Sequence, residues 1–179
     1  MKLTTSAAGV YAIAPTPFDP DGAVDFASID RMMDFYVGCG VTGLTILGVM
    51  GEAPKLEAKE SLEVVHRVLV KAGGLPIVVG VSAPGFAAMR ALARESMELG
   101  AAGVMIAPPS NLRTDEQITG YYRQAAAAIG AEIPFVIQDY PLNFQVVMTP
   151  KVIREIVRDR KSTRLNSSHC VTSRMPSSA

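Results

Sequence analysis

Cysteine is nearly missing from this chain: Cys39 and Cys170 are the two in 179 residues. Two cysteines so far apart do not make a disulfide framework, and the scarcity points to the cytosol. Cys39, near a predicted helix end, reads as a small buried hydrophobe. No apolar run approaches the length of a membrane-spanning helix. The opening stretch MKLTTSAAGVYAIAPTP holds one lysine and too short an apolar run for a secretory signal. No basic stripe is present, and 17 Lys and Arg balance 17 Asp and Glu. Nucleic acid is therefore excluded as a partner. GxxxxGK[ST] does not occur, and the GxGxxG at Gly38-CGVT-Gly43 leads from a helical pattern into an apolar strand run, the reverse of the strand–loop–helix order that a glycine-rich phosphate loop needs. His66 has no partner at metal-ligand spacing, so neither a metal nor a cofactor is expected.

What is present is apolar. Hydrophobic residues make up 49% of the chain and charged residues 19%, the balance of a compact protein with one substantial core. The pattern holds from residue 1 to 158 and then breaks. Residues 159–179 read DRKSTRLNSSHCVTSRMPSSA, without helical or strand periodicity. Such a stretch buries too little apolar surface to offset its ordering entropy. It also takes four of the 17 basic residues and one of the 17 acidic ones, leaving 13 and 16 before it. The expected organisation is a folded unit over 1–158 followed by a disordered segment over 159–179.

Within 1–158 one unit recurs. Gly9-VYAIAPTPF is a short buried strand ended by prolines, followed by a helix over Asp25–Gly38 with Ile29, Met32, Met33, Phe35 and Tyr36 at helical spacing. Gly43-LTILG, Pro76-IVVGV, Gly103-VMIAP and Pro134-FVIQ are further apolar runs of strand length. They alternate with helices over Glu57–Ala72, Ala87–Leu99 and Asp115–Ile129, and a fifth helix opens at Thr149-Pro150. The second helix sets Leu62, Val65, Leu69 and Val70 on its apolar side. Strands apolar throughout, each followed by a helix, indicate a parallel sheet covered by helices. An open doubly wound sheet and a closed eightfold barrel both satisfy this pattern, and five strands suffice for the former.

Either architecture does its chemistry just beyond the strand C-termini. Those places hold Ala14-Pro-Thr-Pro, Gly48-Val-Met-Gly-Glu52, Gly80-Val-Ser82, Ala107-Pro-Pro-Ser-Asn111 and Gln138-Asp-Tyr-Pro141. In order they give P-T-P-F, L-G-x-x-G-E-A, V-G-V and P-P. This set resembles the dihydrodipicolinate synthase and N-acetylneuraminate lyase family from about Gly9 to Arg158. The resemblance implies a (β/α)8 barrel, here with about five of eight units. It also implies a lyase that binds a 2-oxo acid, usually pyruvate, as a Schiff base on a lysine. Family members are commonly homotetramers.

The resemblance assigns Gly48, Val49, Met50, Gly51, Glu52 and Asp139 to substrate binding, and Gln138 and Tyr140 to catalysis. The match is uneven. The family commonly has two hydroxyl residues at the places of Val49 and Met50, where they hold the keto-acid carboxylate; here only backbone N–H groups remain for that. Strand five commonly ends Tyr-Asn-x-Pro, with a proton-relaying tyrosine where this chain has Gln138. Tyr140 shares Gln138's side if the strand runs that far. A Gln-Asp-x-Pro ending looks like the sugar-acid branch of the family, the 2-keto-3-deoxy sugar acid dehydratases and aldolases. Plainer readings stand beside these: Glu52 as a first-turn acid complementing a helix dipole, Val49 and Met50 as packing, Tyr140 as a loop aromatic.

In the family the Schiff-base lysine ends strand six, which by ungapped counting falls at about Asn166. Lys161 lies about five residues early in polar company, a poor setting for a lysine that needs desolvation to become nucleophilic. The last 21 residues resemble the translation of a sequencing adapter. On that reading the chain is a truncated lyase, inactive by itself, with strands one and five as open edges. The competing functions are a non-catalytic keto-acid-binding module and a free-standing open α/β domain.

Overall fold

The computed structural model describes residues 2–4, 6–158 and 167–169. Its strands are β1 (Tyr11–Ile13), β2 (Gly43–Ile46), β3 (Ile77–Gly80), β4 (Gly103–Ile106), β5 (Phe135–Asp139) and β6 (Ser167–His169). Its helices are α1 (Phe26–Gly38), α2 (Ala58–Lys71), α3 (Phe86–Glu98), α4 (Asp115–Ile129), α5 (Pro141–Phe144) and α6 (Pro150–Arg158), with a 3-10 turn at Ala53–Lys55. Capping fixes the helix starts. The Asp25 carboxylate accepts from the Ser28 N–H at 2.9 Å, and Thr114 with Gln117 forms a capping box, as does Glu57 with Glu60.

All pairings are parallel and the sheet order is β1-β2-β3-β4-β5-β6. That order settles the architecture. A doubly wound sheet reverses its strand order at a switch point to place helices on both faces. Sequential right-handed crossovers keep every helix on one face. The other face must then curl on itself, as in a barrel. The open-sheet reading is therefore corrected, and five βα units of a (β/α)8 barrel are present.

Side-chain alternation divides the sheet. Leu44, Ile46, Val79, Ile106, Phe135 and Ile137 face the helices and pack with Ile29, Met33, Val65, Met89 and Tyr122 in the main core. Val78, Met105 and Val136 form a smaller cluster on the other face with Leu3 and Tyr11. Leu3 is held there by its N–H, which donates to the Ala102 carbonyl at 2.7 Å.

Four expectations change. The buried stripe of α2 is Ser61, Val64, Val65 and Val68, and Val70 is exposed. The i, i+3, i+4, i+7 row facing the sheet starts one residue earlier than Leu62. Phe35 is likewise exposed on α1. Cys39 is exposed at the α1 C-cap. Finally, Ser167–His169 pairs with β5 (Gln138 opposite Ser168) inside a segment read as structureless, so β5 is not an open edge. Ladder hydrogen bonds use backbone alone, so an unpaired edge accepts a polar segment. Lys161 and Asn166 lie outside the described residues.

Candidate active site

The C-terminal ends of β2 to β5 open into a cavity of about 400 Å³. Its shape begins with glycine. A Cβ on Gly80 would stand 2.0 Å from the Leu47 carbonyl oxygen, and one on Gly48 would stand 3.0 Å from Met105 Cε and 4.0 Å from Gln138 Nε2. The segment after β2 therefore lies directly against β3 and β4. Leu47 turns out of the strand with φ +54°, a conformation that costs an L-residue roughly 1–2 kcal/mol. The loop is pinned by the buried Thr16 hydroxyl, which donates to the Gly51 carbonyl at 2.7 Å. The Glu52 N–H closes a turn onto the Val49 carbonyl at 3.1 Å. Among the described residues no acceptor takes the N–H groups of Gly48, Val49 or Met50.

The residues assigned from sequence separate into two groups. Gly48, Val49, Glu52 and Gln138 meet on the cavity. Met50 is 56% exposed and outside it, and Gly51 lies buried beneath the loop. Gln138 follows Val136 onto the cavity face by strand alternation. Asp139 alternates to the helix side. There its charge adds to burial and to the neighbouring Tyr121 in raising the Tyr122 phenol well above the usual tyrosine range. Tyr140 does not continue the strand. It becomes the N-cap of α5, its carbonyl accepting from the N–H groups of Asn143 at 3.0 Å and Phe144 at 3.1 Å. Pro141 forces this, having a fixed φ and no N–H for a ladder.

Five cavity residues escaped sequence reasoning: Pro54, Lys55, Met105, Asn143 and Phe144. Met105 was hidden inside an apolar run, although alternation from Val104 and Ile106 would have found it. Asn143 and Phe144 arrive on the short helix opened by Pro141. Lys55 ends the 3-10 turn, and its ammonium pairs with the Glu52 carboxylate three residues earlier. Ser82, noted at the end of strand three, also lines the cavity, and its Oγ accepts from the Ala107 N–H at 2.8 Å. Behind β4, the Tyr122 hydroxyl donates to the Ile106 carbonyl at 3.1 Å and the Tyr121 hydroxyl to the Ala107 carbonyl at 3.3 Å. Burial pushes the Tyr121 phenol up to about 12. These hydroxyls stay protonated at neutral pH and hold the strand end in place.

The arrangement is that of a small-molecule site: unpaired amides, two carboxamides, a hydroxyl and one ion pair set among apolar walls. Comparison with known proteins gives it a family. The description "Dihydrodipicolinate synthetase family" matches residues 6–162. This chain belongs to that family. Among curated relatives, 4-hydroxy-tetrahydrodipicolinate synthase of Nitrosococcus oceani is 30% identical over 143 residues, 79% of this chain and 48% of the relative. The enzyme of the same name from Laribacter hongkongensis is 34% identical over 128 residues, 70% of this chain and 43% of the relative. The chain thus spans about half the length of the curated relatives it matches. Among solved structures, dihydrodipicolinate synthase from Rhodopseudomonas palustris superposes with a TM-score of 0.89 at 61% identity, covering 93% of this chain and 56% of that one. A Ruminococcus gnavus sialic acid aldolase shares the fold at 22% identity, with a TM-score of 0.80 over 95% of this chain and 56% of that one. The family's lyases and synthases, and the partial barrel, are common ground among these matches.

Proposed function

We propose that this chain supplies the N-terminal half of the active site of a lyase that processes a 2-oxo acid through a Schiff base. The substrate is pyruvate or a 2-keto-3-deoxy sugar acid. One observation carries the reading: Gly48, Val49, Glu52 and Gln138, from two strand ends far apart in sequence, converge on one cavity at the C-terminal side of a parallel sheet. The free N–H groups of Gly48 to Met50 suit a carboxylate. Gln138 is an amide and cannot relay protons as a phenol does, so its part is to hold the keto or hydroxyl oxygen by hydrogen bonds. That exchange, with Val49 and Met50 replacing hydroxyl residues, favours the sugar-acid substrates over dihydrodipicolinate synthesis.

The reactive lysine lies beyond β5 in this reading. Lys55, the one lysine on the cavity among the described residues, has a side chain 72% exposed and paired with Glu52. A Schiff-base lysine works from a desolvated pocket, so Lys55 does not take that role. The 179-residue chain alone is then inactive, and the parent enzyme is a cytosolic homotetramer. Borohydride treatment with pyruvate tests this on a chain extended to its relatives' length. A reduced adduct on a lysine outside residues 1–158 is expected. Pyruvate binding without any adduct would replace the lyase with a keto-acid-binding module.

A further inference from the structure

Among the described residues lining the cavity, Glu52 and Lys55 alone carry charge. Their pairing does little for the fold. The Glu52 side chain is 39% exposed and that of Lys55 72%, and ion pairs so exposed contribute little stability. The backbone nevertheless fixes them firmly. Glu52 adopts a left-handed φ of +52°, which an L-residue holds only under constraint from its surroundings. Consecutive turns follow, the Lys55 N–H donating to the Glu52 carbonyl at 2.8 Å and the Leu56 N–H to the Ala53 carbonyl at 3.2 Å. Pro54 stiffens the turn further. A strained, rigid mount for a pair of little structural worth indicates a pair that serves a ligand.

We propose that the Glu52–Lys55 pair recognises the hydroxylated chain of the substrate, beyond its carboxylate and keto group. The Glu52 carboxylate accepts from one hydroxyl while the Lys55 ammonium donates to its neighbour. The geometry at Ser82 is consistent: its oxygen already accepts from the Ala107 N–H, which leaves its own proton for a ligand oxygen. Pyruvate has three carbons and no hydroxyl, so it leaves the pair unused. This inference rests on the 2-oxo-acid reading above and selects the sugar acids within it.

Calorimetric titration of the 179-residue chain with pyruvate and with 2-keto-3-deoxygluconate tests the proposal. The wild type should bind the sugar acid more tightly than pyruvate. Lys55→Met should weaken sugar-acid binding about tenfold, the scale of a lost charged hydrogen bond, and leave pyruvate binding unchanged. Lys55→Arg should restore sugar-acid binding to within about threefold. Lys55 is exposed, so neither variant threatens folding, and unchanged circular dichroism would verify that. Equal weakening of both ligands, or of neither, overturns the proposal. Pyruvate bound as tightly as the sugar acid overturns it while leaving the 2-oxo-acid reading intact. Failure of both ligands to bind the wild type overturns both.

Discussion

Replacing Gly80 with alanine should damage both stability and the cavity, and the structure sets the scale. The new Cβ would lie 2.0 Å from the Leu47 carbonyl oxygen, 2.6 Å from its carbon and 3.1 Å from the Gly48 nitrogen. Real Cβ contacts essentially never fall below 3.0 Å, so roughly 1 Å of movement is required. No flexible side chain can absorb it, because the obstacle is the backbone of a residue already at φ +54°. Overpacking of this kind costs about 2–3 kcal/mol. For a domain of this size that is a fall in Tm of about 4–12 °C. Gly120→Ala supplies a control with the opposite sign. A Cβ there meets nothing within 4 Å and sits inside α4, so helix propensity should stabilise the chain by about 0.5–1 kcal/mol. Thermal unfolding followed by circular dichroism reads both. A Gly80→Ala variant melting with the wild type would refute the close approach of the β2 loop to β3, and with it the shape assigned to the cavity.

Two further predictions concern titration. Tyr121 and Tyr122 have folded-state values raised by burial, so their contribution to stability is complete below the unfolded value near 10. It is lost as pH rises from there through the raised folded values, about 12 for Tyr121. Tyrosinate absorbance of the wild type against Tyr121→Phe and Tyr122→Phe should assign both phenols an ionisation above the ordinary tyrosine range, and ionisation of either near pH 10 would contradict the core placement of α4. At the acid end, the Arg67 guanidinium clamps Asp30 between α1 and α2 and holds its carboxyl below the usual range. Its contribution is present above the unfolded value and lost as pH falls through the lower folded one. Asp30→Asn should therefore lower the urea midpoint near neutrality and flatten its acid decline; parallel pH profiles for the two proteins would remove the clamp from the account.

The βα units were legible because burial writes itself into composition. Gly43–Ile46, Ile77–Gly80 and Gly103–Ile106 are buried at every position, and continuous apolar runs reveal that directly. The α4 helix was read to the residue because Thr114 and Gln117 mark its start and Gly130 its end. Strand order was not legible, since both architectures share the same local periodicity and differ only in which strands pair. The cavity lining was legible where it followed a strand end, at Gly48, Val49, Glu52 and Gln138. It was illegible where a local turn took over. Tyr140 leaves the strand because Pro141 starts a helix, and Lys55 reaches the cavity through a strained turn that no periodicity announces. The same loss of periodicity hid β6, whose pairing depends on backbone alone.

We propose that β2 to β5 end in a site for a 2-oxo acid. Titrating pyruvate into the isotopically labelled chain and following backbone amide resonances tests it most directly. Saturable shifts are expected on Gly48, Val49, Met50 and Gly80, with the Gln138 side-chain amide moving alongside them. Shifts centred elsewhere, or none at saturating pyruvate, would contradict it.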